Sequence, residues 1–293
     1  MAAGRTTVYS IPPGEAFVDA LARGLIERHG GDPLTFSRML VLLPTRRAVR
    51  ALREAFLRQQ EGQALLLPAM RPIGDVDTDE LLIETGPAGT ALELPPAIGG
   101  LRRVLLLGEA IRRRDAAAAG EAVSPAQAAL LARELAQLLD QLQTEDVPLA
   151  ALDALVPEDY AEHWQKTLRF LQVLREPWQA ILAAEGAVDP VTRRNALLRA
   201  QAARWQEAPP DHPVIAAGST GSIPATAELL RVVARLPQGA VVLPGLDTEA
   251  DEETWGNLDP AHPQYGLSHL LQHMGVARAE VGRWPGAAEA APR

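Results

Sequence analysis

Residues 38–58 constrain the fold of this chain more than any other stretch. Met39 to Leu43 is an unbroken apolar run of strand length. An unbroken run, unlike an alternating one, suits a strand covered on both faces, as in a parallel sheet. Pro44-Thr45 then turns the chain, and Thr45 is placed to cap the amphipathic helix that follows. In that helix Val49, Leu52, Phe56 and Leu57 are expected on one face, with Arg46, Arg47, Arg50, Arg53 and Arg58 around the rest. Such a unit delivers Thr45, Arg46, Arg47 and Arg50 to the carboxyl end of a sheet, where α/β proteins bind ligands and helix N-termini attract anions. The plainer reading is a βα unit with a solvated basic face. The residues alone leave both open.

The flanking segments repeat the α/β pattern. Thr6 to Ile11 reads as a strand, and a helix is expected from about Glu15 to His29, stopped by Gly30-Gly31-Asp32-Pro33. The loop between them is Ser10-Ile11-Pro12-Pro13-Gly14-Glu15. A phosphate-cradling loop needs glycine N–H groups, a lysine for the β/γ-phosphates and a hydroxyl for magnesium. This one has prolines without N–H groups, no lysine, and a carboxylate that repels phosphate, so ATP hydrolysis is not expected there. Ala64 to Ile73 is a third strand, which Pro68 marks as bent or at an edge. Residues 74–80 are acidic but lack the spacing of a calcium loop, and are read as solvated.

From about residue 96 to 208 the texture is helical throughout. Helices are expected at 98–119, with Leu101, Val104, Leu105 and Ile111 inward, and at 125–143, opened by Ser124-Pro125. Two more are expected at 159–184, with Trp164, Leu168, Leu171, Leu174, Trp178 and Ile181 at helical spacing, and from Asp189-Pro190 to about Trp205. The α/β pattern then resumes: a strand at Val214 to Ala217, the small-residue loop Gly218-Ser219-Thr220-Gly221-Ser222, a helix at 224–236 and a strand at 240–243. That loop sits where a phosphate or sugar would be hydrogen-bonded, although glycine with hydroxyls is also ordinary turn chemistry. No carboxylate follows the strand to hold magnesium. A short helix is expected at 267–274. His262, His269 and His273 have no acidic third ligand placed with them, so surface or capping roles are expected rather than a metal site. The order implies four parts: 1–95 and 209–250 as the two pieces of one α/β domain, 96–208 as a helical insertion, and 251–293 as a linker or extension of a chain cut from something longer.

Composition narrows the chemistry. With no cysteine among 293 residues, disulfides, thiolate metal sites and a cysteine nucleophile are excluded. Lys166 is the only lysine, and it falls mid-helix away from any glycine loop. A net charge of −9 argues against a surface coated for DNA, so any nucleic-acid contact must be a local patch or come through a partner. No apolar run approaches the ~20 residues that cross a bilayer. Residues 1–11 lack the apolar core of a signal peptide, so a cytoplasmic protein without cofactor is expected.

Four stretches together resemble a known family: Leu40 to Arg50, Arg71 to Asp77, Ala217 to Thr226, and Val241 to Asp247 with Asp259 to Gly266. They are similar to the amino-terminal part of AddB in its alphaproteobacterial form, the double-strand-break repair subunit of the AddAB helicase–nuclease. The resemblance implies a RecA-like, P-loop NTPase-like domain of superfamily 1 helicase type, interrupted by a helical subdomain. It places Thr45, Arg46 and Arg47 where such helicases contact single-stranded DNA, and Gly218 to Ser222 near the motif that couples nucleotide to DNA. The missing phosphate lysine and magnesium carboxylate imply an inactivated domain, a scaffold and DNA guide beside an AddA-type motor subunit. The nuclease domain of the family has no counterpart in these residues. The alternative is a free-standing α/β enzyme or binder of a phosphorylated small molecule, using Gly218 to Ser222.

Overall fold

The computed structural model describes residues 7–60, 64–73, 94–117, 123–148, 151 and 177–287. The chain divides into two compact units, Met1–Pro87 with Leu198–Arg293, and Ala88–Leu197.

The first unit is α/β, built on a six-stranded, all-parallel sheet ordered β3-β2-β4-β5-β1-β6. In chain order its elements begin with β1 (Val8–Ile11), α1 (Phe17–His29), α2 (Pro33–Arg38), β2 (Leu40–Leu43), α3 (Arg46–Gln59) and β3 (Ala69–Pro72). After the helical unit come β4 (Val214–Ala217), α7 (Pro224–Val233), β5 (Gly239–Pro244), α8 (Glu252–Gly256), α9 (Tyr265–Met274) and β6 (Gly282–Arg283). The apolar runs are strands because both faces are covered. Val41, Leu43, Ile215, Ala217, Ala240 and Val242 pack with α1 and α3 on one side. Leu40, Leu42, Val214, Ala216, Val241 and Leu243 pack with α7, α9 and the residues Leu198, Ala202 and Trp205 on the other.

β3 is an edge strand, as Pro68 suggested. Ala69 N–H donates to Met39 O and Ile73 N–H to Leu43 O, so the alternate residues 68, 70 and 72 face away from β2. Two of those three are proline, which leaves Met70 as the sole outward N–H donor between residues 68 and 72 and blunts the edge against strand addition.

Several expectations are corrected. Leu57 is not on the buried face of α3; it is 71% exposed, and Ala55 completes the face with Val49, Leu52 and Phe56. The first helix does end at His29, before Gly30 to Pro33, but a short helix not expected there follows: Asp32 opens α2, its carboxylate accepting from Leu34 N–H at 3.0 Å and Thr35 Oγ1 at 2.6 Å. Residues 251–287 are no linker. They carry α8, α9 and the sixth strand, and Trp284, 1% exposed, is part of the core. Its ring meets Tyr9 edge-on at 5.4 Å, and Arg28 lies over both rings. The helical unit ends about ten residues before residue 208, because the last turns of its final helix bury Leu198, Ala202 and Trp205 in the sheet unit's core.

The second unit contains α4 (Gly100–Ala117), α5 (Pro125–Thr144) and the start of α6 (Pro190–Glu207). α5 opens with a capping box in which Ser124 Oγ accepts from Gln127 N–H and the Gln127 side chain accepts from Ser124 N–H. Leu107, Ile111, Ala128, Ala132, Leu135, Leu139, Trp178 and Leu182 form the core. Leu101 and Leu105 are not inward; they are 76% and 58% exposed. The stripe is rotated because Arg103 takes an inward position, its Nε 2.8 Å from Asp189 Oδ1 as an ion pair and its Nη1 donating to Asp140 Oδ1 at 2.7 Å. Asp189 Oδ2 accepts from Trp178 Nε1 at 3.0 Å and Gln143 Nε2 at 2.9 Å. The acidic 74–80 segment, Lys166 and the helical pattern from 159 to 176 lie outside the described residues. No helix among the described residues is long and apolar enough to cross a membrane.

Candidate functional site

The two groups of residues singled out in the sequence meet at one place. β2 and β4 are parallel neighbours, with Leu42 level with Ala216, so Pro44 and Gly218 leave the sheet side by side at its carboxyl edge. The contacts of Gly218 confirm this: a methyl group added there would lie 3.1 Å from Phe17 Cε1 and 3.7 Å from Pro44 Cδ. β2 continues into α3 on one face and β4 into α7 on the opposite face, towards opposite ends of the sheet. That divergence is a topological switch point, the crevice where open α/β sheets take ligands.

On the β2 side Thr45 is extended and its Oγ1 accepts from Ala48 N–H at 3.1 Å, capping α3. Arg46, Arg47 and Arg50 are exposed. Among the described residues Arg47, Arg50 and Arg53 have no ion-pair partner. α3 carries five arginines against one glutamate and has no acidic residue in its first turn. Arg58, at its far end, is held by Asp19 at 2.7 Å.

On the β4 side the loop runs through two left-handed glycines, Gly218 at φ +75° and Gly221 at φ +61°, a conformation only glycine adopts without cost. Gly218 N–H donates to Val242 O, and Gly221 N–H to Ser219 Oγ. A methyl group on Gly221 would come within 2.5 Å of Leu270 Cδ1, so this glycine is also where α9 packs against the loop. Thr220 and Ser222 are exposed, and α7 begins at Pro224 with no side-chain cap from Ile223.

The β1–α1 loop lies at the carboxyl end of β1. Gly14 is left-handed, Ala16 offers α1 no side-chain cap, and the Glu15 carboxylate turns inward between Arg23 at 3.5 Å and Arg283 at 3.8 Å. The carboxylate of this loop thus takes Arg23 and Arg283 as its partners. The β5 loop is pinned by residues that the sequence did not single out for it. Gln264 Oε1 accepts from Asp247 N–H at 3.1 Å, while its Nε2 donates to Gly245 O at 2.9 Å. Ser10 Oγ accepts from Leu246 N–H at 3.1 Å. Asp247 Oδ1 accepts from Glu249 and Ala250 N–H groups, so it closes its own turn.

Of the histidines, His262 has a capping role, its Nδ1 accepting from Gln264 N–H at 3.2 Å. His269 and His273 are exposed on α9. No cluster of three metal-ligating side chains occurs among the described residues. No family model matches the chain, and no curated protein is similar to it.

Proposed function

We propose that this chain is an inactivated, RecA-like helicase module of a double-strand-break repair complex of AddB type. It guides single-stranded DNA at the β2/β4 crevice and serves as a scaffold beside an AddA-type motor subunit in the cytoplasm. The observation that carries this reading is the first turn of α3. Arg46 and Arg47 stand at a helix N-terminus, where the helix dipole makes each cation unfavourable by about 0.3–1 kcal/mol. They do so at the switch point of the sheet, in a chain whose net charge is −9. For Arg47, which has no ion-pair partner among the described residues, that arrangement is poor for stability and suited to an anionic backbone.

The residues argue against catalysis by this domain. The β1 loop has no lysine and holds Glu15, β4 is followed by glycines and hydroxyls without a carboxylate, and Asp247 is engaged in its own turn. The alternative, a binder of a phosphorylated small molecule on Gly218 to Ser222, has less support. Two of that loop's N–H groups are already used, and Gly221 is accounted for by its conformation and by Leu270.

The test is fluorescence anisotropy of single-stranded DNA at two salt concentrations, with and without ATP. Binding should be salt-sensitive and indifferent to ATP. Arg46→Ala/Arg47→Ala should lower the slope of log affinity against log salt by about 1.4, the share of two phosphate contacts on a single strand. Absence of binding at low salt would remove the DNA-guide reading, and tight magnesium-dependent ATP binding would overturn the inactive assignment.

A further inference from the structure

The aromatic residues point to a second element of the same interface. Phe36, Phe56, Trp178, Trp205 and Trp284 are buried in the hydrophobic cores, and Tyr9, Phe17 and Trp255 pack against them. Among the described residues Tyr265 is the one aromatic side chain outside all of these clusters. It is half-buried at the first position of α9, and its hydroxyl has no partner among the described residues. Its ring lies 5.7 Å from that of His269, one helical turn on and exposed, with the planes tilted by 57°. The next residue, Gly266, is in contact range of Thr220, since a methyl group there would be 3.8 Å from Thr220 Cβ. Thr220 belongs to the loop whose first glycine touches Pro44. An aromatic pair without a role in the core thus lies next in sequence to Gly266, which neighbours Thr220 of the loop that meets Pro44, and Pro44 precedes the arginine-bearing start of α3.

We propose that Tyr265, backed by His269, is a stacking platform for one base of the single-stranded DNA whose phosphates are held at the β2/β4 crevice. The inference rests on the DNA-guide reading. A charged groove that tracks the backbone and an aromatic face that takes any base are the two parts of sequence-tolerant single-strand binding. Thr220, beside Gly266, and Ser222 carry exposed hydroxyls on the loop that could receive a phosphate or sugar oxygen.

The experiment compares the full chain's affinity for an oligothymidine with that for an abasic oligomer of equal length, in the wild type, Tyr265→Ala, Tyr265→Phe, His269→Ala and Arg46→Ala/Arg47→Ala. The wild type should prefer the base-bearing oligomer by about 5- to 150-fold, the range that stacking one base on an aromatic ring covers. Tyr265→Ala should abolish the preference, Tyr265→Phe should keep it, and His269→Ala should reduce it. The double arginine variant should weaken both oligomers and keep their ratio. Equal wild-type affinity for the two oligomers, or a preference that survives Tyr265→Ala, overturns the platform while leaving the DNA-guide reading standing. Binding of neither oligomer at low salt overturns both. Should Tyr265→Ala fail to fold, a 2-aminopurine base in the oligomer decides with the wild type alone, since its fluorescence must be quenched by stacking. Unquenched binding sinks the platform.

Discussion

Gly24 lies in the buried face of α1, where an alanine would ordinarily help. An interior Gly→Ala change in a helix is worth about 1 kcal/mol of stability. Here the added methyl group would sit 2.0 Å from Pro285 O, 2.2 Å from Trp284 Nε1 and 2.7 Å from Trp284 Cε2. The first obstacle is backbone, so no change of rotamer relieves it. If α1 and the 284–286 segment shift together, overpacking costs about 1–3 kcal/mol and the net loss is at most about 2 kcal/mol. If the segment lifts away instead, the burial of Trp284 is lost. At about 200 Å² and 25 cal/mol/Å² that is up to ~5 kcal/mol, or ~4 kcal/mol net of the helix gain. Gly24→Ala should therefore lower the unfolding free energy by up to about 4 kcal/mol in urea, the larger part of that range with faster proteolysis near residues 282–287. Gly108→Ala is the control: its methyl group meets nothing nearer than Ala128 O at 3.6 Å, so the ordinary gain of up to ~1 kcal/mol should appear. A stabilised Gly24→Ala would refute the packing described for Trp284.

Two further outcomes follow from the polar groups. Asp189→Ala leaves Arg103 buried with Asp140 as its remaining carboxylate partner, and should cost about 3 kcal/mol or more in urea unfolding; a loss below ~1 kcal/mol would mean that the pair is solvated. Burial, and to a lesser extent the neighbouring Arg28 charge, hold the His29 pKa below 6.5, so the unfolded chain takes up the proton first as pH falls. Its contribution to stability is complete above pH 6.5 and declines from there down to the folded pKa; His29→Gln should show a smaller drop in urea midpoint between pH 7.5 and 5.5, and an unchanged drop would assign the effect to other groups.

The parts of the fold that were legible in the sequence are those where one local rule dominates. The unbroken runs at 40–43, 214–217 and 240–243 are strands buried on both faces, as their length and turn-forming flanks indicated, and Thr45 and Ser124 cap helices where their spacing placed them. The two halves of the candidate site were visible separately, but that they adjoin depends on β4 pairing with β2, which no local signal encodes. Arg103 shows why periodicity misplaced Leu101 and Leu105: an inward arginine satisfied by a distant aspartate is indistinguishable in sequence from a solvated one. Leu57 fails for a related reason, since alanine at 55 fills the helix face where space is limited. β6 was missed because a two-residue strand ahead of an Ala/Pro/Gly stretch carries no pattern, and Tyr265 because its significance lies in what it does not pack against.

The order of the strands also fixes an order of events during synthesis. Among the described residues β1 pairs with β5 and β6, Val8 standing opposite Val241 and Tyr9 opposite Gly282. When residues 8–11 leave the ribosome they have no strand to join until residue 239 has followed, while β2 and β3, separated by one helix, can pair early. The helical unit, whose α4 and α5 are neighbours in sequence, can form in the interval from local contacts. β1 is thus ordered after β2 and β3 although it precedes them in the chain, and the nascent chain carries its apolar residues unpaired while two other parts fold, a natural point for chaperone attention.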